Sequence, residues 1–330
     1  MSKIRPMVGH LARRALIGAA IVFGVVTLTF FLLRLAPGDP VSLLLGPAAT
    51  PDQITVQRHL LGFDRPLMLQ YLAWVGRFVR GDWGISIATS RPVGAMLAEA
   101  WPATVALVGS SLILSYLLGL AVGIIQAATG RRALDTTLSV VTVTLFAMPG
   151  YWLGVMLVMV FTYWLGILPA FGASGLDADF LSRGGRVVDH LRHLALPLLT
   201  LTLIGIGGAA RFVRGSMLDV KRAQFITVAR AKGLGNRRVT LRHMLGNAMV
   251  PVVTLLGLSL PALFSGAVFV EAIFAWPGVG QVLVKAVQGR DYPVILAATA
   301  VSAGLVVLGN LAADLLVSWV DPRVRATEAR

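Results

Sequence analysis

Few residues could bind a metal ion or carry a proton, and their arrangement favours structural roles. His190 and His193 are three positions apart, a spacing that can place two metal ligands on one helix face. Asp189 is adjacent, but no further carboxylate or cysteine completes an obvious ligand set, so we interpret the pair as interface or capping histidines. Asp314 follows Asn310 by four positions near the end of the last apolar stretch. We expect a structural hydrogen bond there, although an acidic residue inside a membrane is a functional candidate by default.

The sequence has no ATP site of its own. Its four lysines are Lys3, Lys221, Lys232 and Lys285, and none of them is followed by Ser or Thr. A phosphate-binding loop requires Gly-Lys-Ser/Thr, so any ATP hydrolysis must come from a partner. The chain contains 0 cysteines, which excludes disulfides, iron–sulfur clusters and thiolate metal sites.

Long apolar stretches must position the histidines and acidic residues named above. Of 330 residues, 56% are hydrophobic and 13% are charged, about half of the roughly 25% charged residues in soluble domains. A helix needs about 20 apolar residues to cross the hydrocarbon core. Six uncharged stretches qualify or nearly do, namely 15–33, 103–128, 136–170, 194–210, 247–270 and 292–313. We therefore predict an all-α, polytopic membrane protein with six transmembrane helices and a kink in the third, at Pro149 and Gly150.

The distribution of basic residues predicts the orientation. The net charge is +14, and the basic residues form short blocks beside apolar stretches, which disfavours nucleic-acid binding. Cytoplasmic loops carry an excess of Lys and Arg, which places both termini in the cytoplasm. The first apolar run is too long for a signal peptide and lacks a cleavage site. Glu99 and Glu271 then flank the second and fifth stretches on the outside, where either could meet a substrate's positive end or a partner Arg; we expect solvated loop ends.

The outer segment 34–102 carries helix signals. Thr50-Pro51-Asp52-Gln53 offers an N-cap, a Pro at N1 and a capping box. A second helix is predicted from Pro66 through Val79, with Gly81 ending it. Four apolar side chains lie at helical spacing in that helix: Leu67, Tyr71, Trp74 and Phe78. We interpret it as a small amphipathic helix that rests on the bundle or the membrane interface.

The loop 211–242, between the fourth and fifth stretches, is strongly basic, and Asp219 is its only acidic residue. Ala229, Ala231 and Gly233 keep one part slim, so that a helix end can approach another surface closely. Gly233 and Gly235 can end a helix and turn the chain. The pattern predicts a short helix at the membrane base that docks in a partner's groove. The alternative is a basic loop bound to acidic lipid.

Several motifs give the chain a family resemblance. The first is Ala229-Arg230-Ala231-Lys232-Gly233-Leu234, followed by Arg242-His243-Met244-Leu245-Gly246-Asn247-Ala248 and Pro251. Others are Leu35-Ala36-Pro37-Gly38-Asp39-Pro40, Gly81-Asp82-Trp83-Gly84, Ser216-Met217-Leu218-Asp219-Val220, Trp276-Pro277-Gly278-Val279-Gly280 and Asp321-Pro322-Arg323. In order and spacing they resemble the dipeptide/oligopeptide/nickel permease family of binding-protein-dependent ABC importers. The general Glu-Ala-Ala signature is altered here to Thr227, Val228 and Ala229, and Gly246 replaces a common Pro.

This resemblance implies a type I importer permease in a bacterial inner membrane. It would form half of the translocation pathway for di- or oligopeptides or peptide-like solutes. Its expected partners are a second homologous permease, two ATPase subunits that carry ATP and Mg, an extracytoplasmic substrate-binding protein and membrane lipid; the chain itself would bind no cofactor. The ATPase-coupling residues would be Thr227, Val228, Ala229, Arg230, Ala231, Lys232, Gly233, Leu234, Arg237, Arg238, Arg242 and His243.

Three alternatives stay open from the sequence. Within the family, the cargo could be nickel or a metal chelate. From other classes, the chain could be an ion-driven secondary transporter or a membrane scaffold. We divide the sequence into a cytoplasmic N-terminus and first helix (1–34), an extracytoplasmic insert (35–102), a transmembrane core (103–320) with a coupling loop (211–246), and a cytoplasmic tail (321–330).

Overall fold

The structure is a computed structural model that describes residues 4–36, 38, 40–46 and 48–320. The predictions for Lys3, Pro37, Asp39, the side chain of Asp314 and the tail 321–330 lie outside the described residues. Within that part of the chain every regular element is a helix, and two residues of the insert form an isolated bridge. The predicted class, an all-α polytopic membrane protein, is confirmed.

Thirteen α-helices follow one another in the described part of the chain. They are α1 (Ile4–Leu35), α2 (Pro40–Leu45), α3 (Pro51–Leu60), α4 (Leu67–Val79), α5 (Val93–Ala128), α6 (Arg132–Ala147), α7 (Gly150–Val158), α8 (Arg183–Lys221), α9 (Gln224–Ala231), α10 (Asn236–Arg238), α11 (Leu245–Ile273), α12 (Val279–Gln288) and α13 (Tyr292–Val320). Two π-helical segments, Met159–Trp164 and Val239–Met244, extend α7 and precede α11.

Four helices described by the structure, α1, α5, α8 and α13, are long and apolar enough to cross a membrane. The pair formed by α6 and the segment Gly150–Trp164 passes the same test but bends by 104°. Some side chains of α11 lie outside the description; its 29 residues contain no charged side chain before Glu271, so its sequence also fits a crossing.

The third apolar stretch is broken rather than kinked, which corrects the predicted continuous helix. Met148 has ψ 133° and Pro149 has ψ 129°, so both residues are extended. Proline disfavours the helical conformation of the residue before it and has no N–H for the helix ladder. Two successive extended residues therefore turn the chain sharply between α6 and α7.

The fourth apolar stretch is the middle of the 39-residue helix α8. The first part of the predicted loop 211–242 is thus helical up to Lys221, which is also a correction. Helix α8 packs tightly against α5 because small residues face each other. A Cβ added at Gly119 would lie 2.6 Å from Ala209 Cβ, and one added at Gly123 would lie 2.7 Å from Val213 Cβ.

The insert between α1 and α5 is seated on the bundle. Thr50 forms the predicted capping box with Gln53 at the start of α3. The aromatic face of α4 packs on α1, with the ring centroids of Tyr71 and Trp74 each 5.4 Å from that of Phe30. The prediction that this helix rests on the bundle is therefore confirmed.

A buried carboxylate fastens the end of the insert to the start of α13. Asp291, 3% exposed, accepts hydrogen bonds from Ser86 Oγ at 2.5 Å and from the Ile87 and Ala88 amides at 3.1 and 3.2 Å. These residues are more than 200 positions apart in the sequence. This side chain consequently helps to hold the loop before α5 against the bundle.

Candidate functional site

Helix α9 ends in a Schellman motif. Its C-cap is Lys232, and Gly233 follows with φ +77°, a conformation that favours glycine. The Gly233 amide donates to Arg230 O at 2.9 Å, and the Leu234 amide donates to Ala229 O at 3.3 Å. These two bonds are the pair that defines the motif. The prediction that Gly233 ends a short helix here is confirmed.

The inner face of α9 anchors this helix to the base of the bundle. Ile226 is 0% exposed and Ala229 is 7% exposed. They belong to an apolar cluster, the base cluster, together with Ala127, Val213, Met217, Val239, Met244, Ala248 and Val252. The base cluster therefore joins α9 to α5, α8 and the start of α11.

The outer face of α9 and of the following residues presents the remaining predicted coupling residues. Thr227, Val228, Arg230, Ala231, Lys232, Gly233, Arg237, Arg238 and Arg242 are exposed, and Leu234 and His243 are half-buried. Ala229 differs from them because it faces the bundle. Its small side chain lets α9 lie close to the base cluster, so it is not available to a partner in this conformation.

A cleft of about 740 Å³ lies on the other side of α8. Its walls come from α5, α6, α8 and the first half of α11. The α8 wall includes Gly205, Gly208 and Gly215, and the charged residues Arg211 and Asp219 line the same cleft. The sequence prediction missed this site because it placed 211–219 in a loop; the glycines of α8 were the available signal.

A buried carboxylate stands at the opposite end of α11, where we expected a solvated loop end. Glu271 is 0% exposed, and its Oε2 accepts a hydrogen bond from the Gly280 amide at 2.7 Å. The neighbouring Val279 amide donates to Thr104 Oγ1 at 2.9 Å. Side chains of α11 and α5 thus cap the first turn of α12, whose own N-cap residue, Gly278, has no side chain.

Glycine makes this capping arrangement sterically feasible. A Cβ added at Gly278 would overlap the Glu271 carboxylate, and one added at Gly280 would lie 2.5 Å from Val268 Cα. The expectation for Glu271 was wrong because the turn after α11 brings those glycines back onto the carboxylate. Glu99 is solvated as we expected, since its side chain is 63% exposed and pairs with Arg91 at 2.6 Å, but it lies in the second turn of α5 and not in a loop.

The two histidines take backbone partners. His190 Nδ1 lies 2.8 Å from Ala173 O, and the imidazole packs on Trp276 with centroids 5.3 Å apart. His193 Nδ1 lies 2.9 Å from Asp189 O. The His190 contact therefore helps to hold the segment before α8 in place, whereas His193 bonds to a carbonyl of its own helix.

Comparison with known sequences gives matches along nearly the whole chain. Residues 119–326 match the family described as binding-protein-dependent transport system inner membrane component, and residues 7–108 match the N-terminal region of such membrane components. The oligopeptide transport system permease protein AppB of Bacillus subtilis is 37% identical over 319 residues, 96% of this chain and 99% of that protein. The di/tripeptide transport system permease protein DppB of Pseudomonas aeruginosa is 36% identical over 97% of this chain and 99% of its own length.

A further relative and a solved structure extend the comparison. The probable D,D-dipeptide transport system permease protein DdpB of Escherichia coli is 37% identical over 92% of this chain and 94% of its own length. An inward-facing structure of the MetNI methionine ABC transporter superimposes with a TM-score of 0.58 at 20% identity, covering 71% of this chain and 100% of the matched chain. At that identity the likeness establishes the fold.

Proposed function

Because the chain belongs to the family of binding-protein-dependent transport system inner membrane components, we propose that it is a permease subunit of an ATP-binding-cassette importer for di- or oligopeptides. The observation that carries this proposal is the full-length similarity to permeases named for oligopeptides, di/tripeptides and D,D-dipeptides. Peptides are favoured over nickel because these relatives are named for peptide transport.

The subunit works with partners. A second homologous permease completes the pathway, an extracytoplasmic binding protein delivers the peptide, and two ATPase subunits bind ATP and Mg²⁺ below the membrane. Both termini and the loop that carries α9 lie on the cytoplasmic side, in agreement with the distribution of basic residues. Nucleotide binding supplies free energy to the extent that it favours one state of the bundle over the other.

Helix α9 is the contact through which the ATPases act. Its exposed face carries Thr227, Val228, Arg230 and Ala231, and its buried face is fixed in the base cluster. Because α8 and α11 contribute to the same cluster and also line the cleft, a displacement of α9 reaches both walls of the pathway. This geometry supports a role for α9 as the coupling helix.

The test is ATP-dependent peptide uptake into vesicles that contain the complete transporter. Ala231→Arg places a long charged side chain on the exposed end of α9. We expect normal membrane insertion and a loss of uptake and ATPase stimulation of about tenfold or more, which corresponds to about 1.4 kcal/mol of lost coupling. Gly130→Arg is the matched control, because a Cβ added at Gly130 meets no atom within 4 Å.

Two results would contradict the proposal. Undiminished stimulation in Ala231→Arg would exclude α9 as the contact. Peptide uptake by the purified permeases without any ATPase subunit would exclude the importer mechanism itself. A binding assay of the cognate delivery protein against peptides and nickel chelates separates the two cargo classes.

A further inference from the structure

The cleft beside α8 has the shape and lining of a site for an elongated ligand. Its volume is about 740 Å³, and the α8 residues that line it run from Ile204 to Val220. At 1.5 Å per residue this wall is roughly 24 Å long. The opposite wall includes Tyr116 and Ser259, whose hydroxyl oxygens lie 2.7 Å apart. An apolar trough with a few polar groups is typical of small-molecule sites.

Two opposite charges are spaced along this trough. Arg211 and Asp219 both line the cleft and are eight positions apart on α8, which places them about 12 Å apart along the helix axis. The guanidinium of Arg211 lies over the Phe146 ring, 4.4 Å from its centroid. In the part of the chain that the structure describes, neither charge takes part in an ion pair.

Arg214, the next arginine along α8, differs from Arg211 because it is paired with a carboxylate. Arg214 donates two hydrogen bonds to the Asp135 carboxylate, from Nε and Nη2, each 2.7 Å long. Its charge is satisfied within the fold, and it does not line the cleft. Arg211 and Asp219 are therefore the charges on this face of α8 that are left for a ligand.

We propose that this cleft binds a zwitterionic peptide, with its α-carboxylate on Arg211 and its α-ammonium on Asp219. The proposal rests on the proposed function and adds a binding site within the permease. An extended chain spans at most about 3.3–3.6 Å per residue, so the two charges fit the ends of a peptide of about three or four residues. Arginine suits the carboxylate because its guanidinium can donate two parallel hydrogen bonds.

The proposed arrangement also predicts that the cleft accepts peptides with different side chains. Contacts with Arg211 and Asp219 depend on the two termini, which all unmodified peptides share. The remaining walls are mostly apolar or small, and Ser216 and Asn247 add polar groups to the lining. Since the Asp219 end of the trough is predicted to face the cytoplasm, the peptide leaves with its amino terminus first.

A labelling experiment tests the site directly. The chain contains 0 cysteines, so Ser216→Cys introduces the only thiol of this subunit, inside the cleft. In the assembled transporter without nucleotide, whose other subunits lack accessible thiols, trialanine should slow its reaction with a charged maleimide. Trialanine amide and N-acetyl-trialanine should each need about tenfold or more higher concentration for the same protection, since each lacks one charge-assisted contact.

Second substitutions assign the contacts. Adding Arg211→Gln should abolish the preference for trialanine over its amide, whereas adding Asp219→Asn should abolish the preference over N-acetyl-trialanine. Arg211→Lys should retain part of the first preference. Phe146→Leu removes the ring beneath Arg211 but keeps the charge, so it should preserve the preference if the charge recognises the carboxylate.

The controls separate this inference from the proposed function. Gly130→Cys lies outside the cleft, so trialanine should not change its labelling; a change there would point to a global rearrangement and overturn the inference. Equal protection by all three peptides, or an unchanged preference in Arg211→Gln, would also overturn it. ATP-dependent uptake of trialanine is measured on the same preparation. If trialanine is taken up but does not slow maleimide labelling, the peptide site is refuted and the proposed function stands. If trialanine is not taken up, the proposed function is refuted.

Discussion

Removal of the Glu271 carboxylate should loosen the start of α12 without unfolding the bundle. The carboxylate accepts the Gly280 amide at 2.7 Å in a fully buried environment. Glu271→Ala leaves this amide without a partner, and water cannot replace the carboxylate unless the turn opens. An unsatisfied buried donor costs about 1–3 kcal/mol.

The cost of the unpaired Gly280 amide determines how much faster hydrogen exchange should become. A change of about 1–3 kcal/mol in the local opening free energy raises the open population about 5- to 150-fold. Hydrogen exchange reports such local openings, so the amides of the segment 275–288 should exchange faster by that factor in Glu271→Ala. Glu271→Gln keeps a carbonyl acceptor for Gly280 and should produce a smaller increase.

Glu99→Ala is the matched control, because Glu99 is an exposed carboxylate that pairs with Arg91 on the surface. An exposed ion pair contributes about 0–1 kcal/mol, so exchange in the segment 275–288 should stay at the parent rate. Unchanged exchange in Glu271→Ala would refute the capping role. A uniform increase over the whole chain would refute the claim that the effect is local.

Three further perturbations test the packing, the insert and its electrostatics. Gly123→Leu should destabilise the detergent-solubilised protein by about 1–3 kcal/mol, measured as a lower melting temperature, because its Cβ would lie 2.7 Å from Val213 Cβ; Gly109→Leu, where an added Cβ meets no atom within 4 Å, should not. Asp291→Ala should make the loop before α5 more sensitive to protease, since three hydrogen bonds to that loop are lost, and an unchanged digestion rate would contradict this. The side-chain hydrogen bond from His59 lowers the pKa of Asp64, so the pair's stabilisation is present above the ordinary pKa of Asp and is lost as the pH falls through the lowered value; His59→Ala should raise the pKa of Asp64 in an NMR titration, and a constant value would contradict the assignment.

Local chemistry explains which parts of the fold could be predicted from sequence. The capping box at Thr50 and the helix end at Gly233 depend on a few adjacent residues, and both were predicted with the correct position. The sequence located the break at Pro149 but did not predict its angle. That angle is large because Met148 and Pro149 are both extended. The apolar stretch 194–210 also predicted too short a helix for α8. The charged last turns of α8 continue the same backbone hydrogen bonds as its apolar middle.

Contacts between distant residues explain what could not be predicted. We expected Glu271 to be a solvated loop end, and it is buried on the Gly280 amide. Asp291 is buried on backbone amides more than 200 positions away. No sequence pattern states which amides a carboxylate will find after folding. The cleft was missed because 211–219 was placed in a loop, and also because Arg211 becomes a cleft residue only when α6 and α11 are packed beside α8.

The two faces of α8 connect the proposed coupling helix to the proposed peptide site. Val213 and Met217 face the base cluster that holds α9, whereas Arg211, Gly215 and Asp219 line the cleft. Val213 is two positions after Arg211, which corresponds to a rotation of about 200° around the helix axis. The base-cluster residues and the cleft residues therefore lie on nearly opposite sides of α8. A force applied to α9 therefore reaches the two charges as a movement of α8 itself. Since Arg211 and Asp219 are fixed on the same helix, such a movement would alter their distance from α6 and α11 while preserving their spacing for the peptide termini.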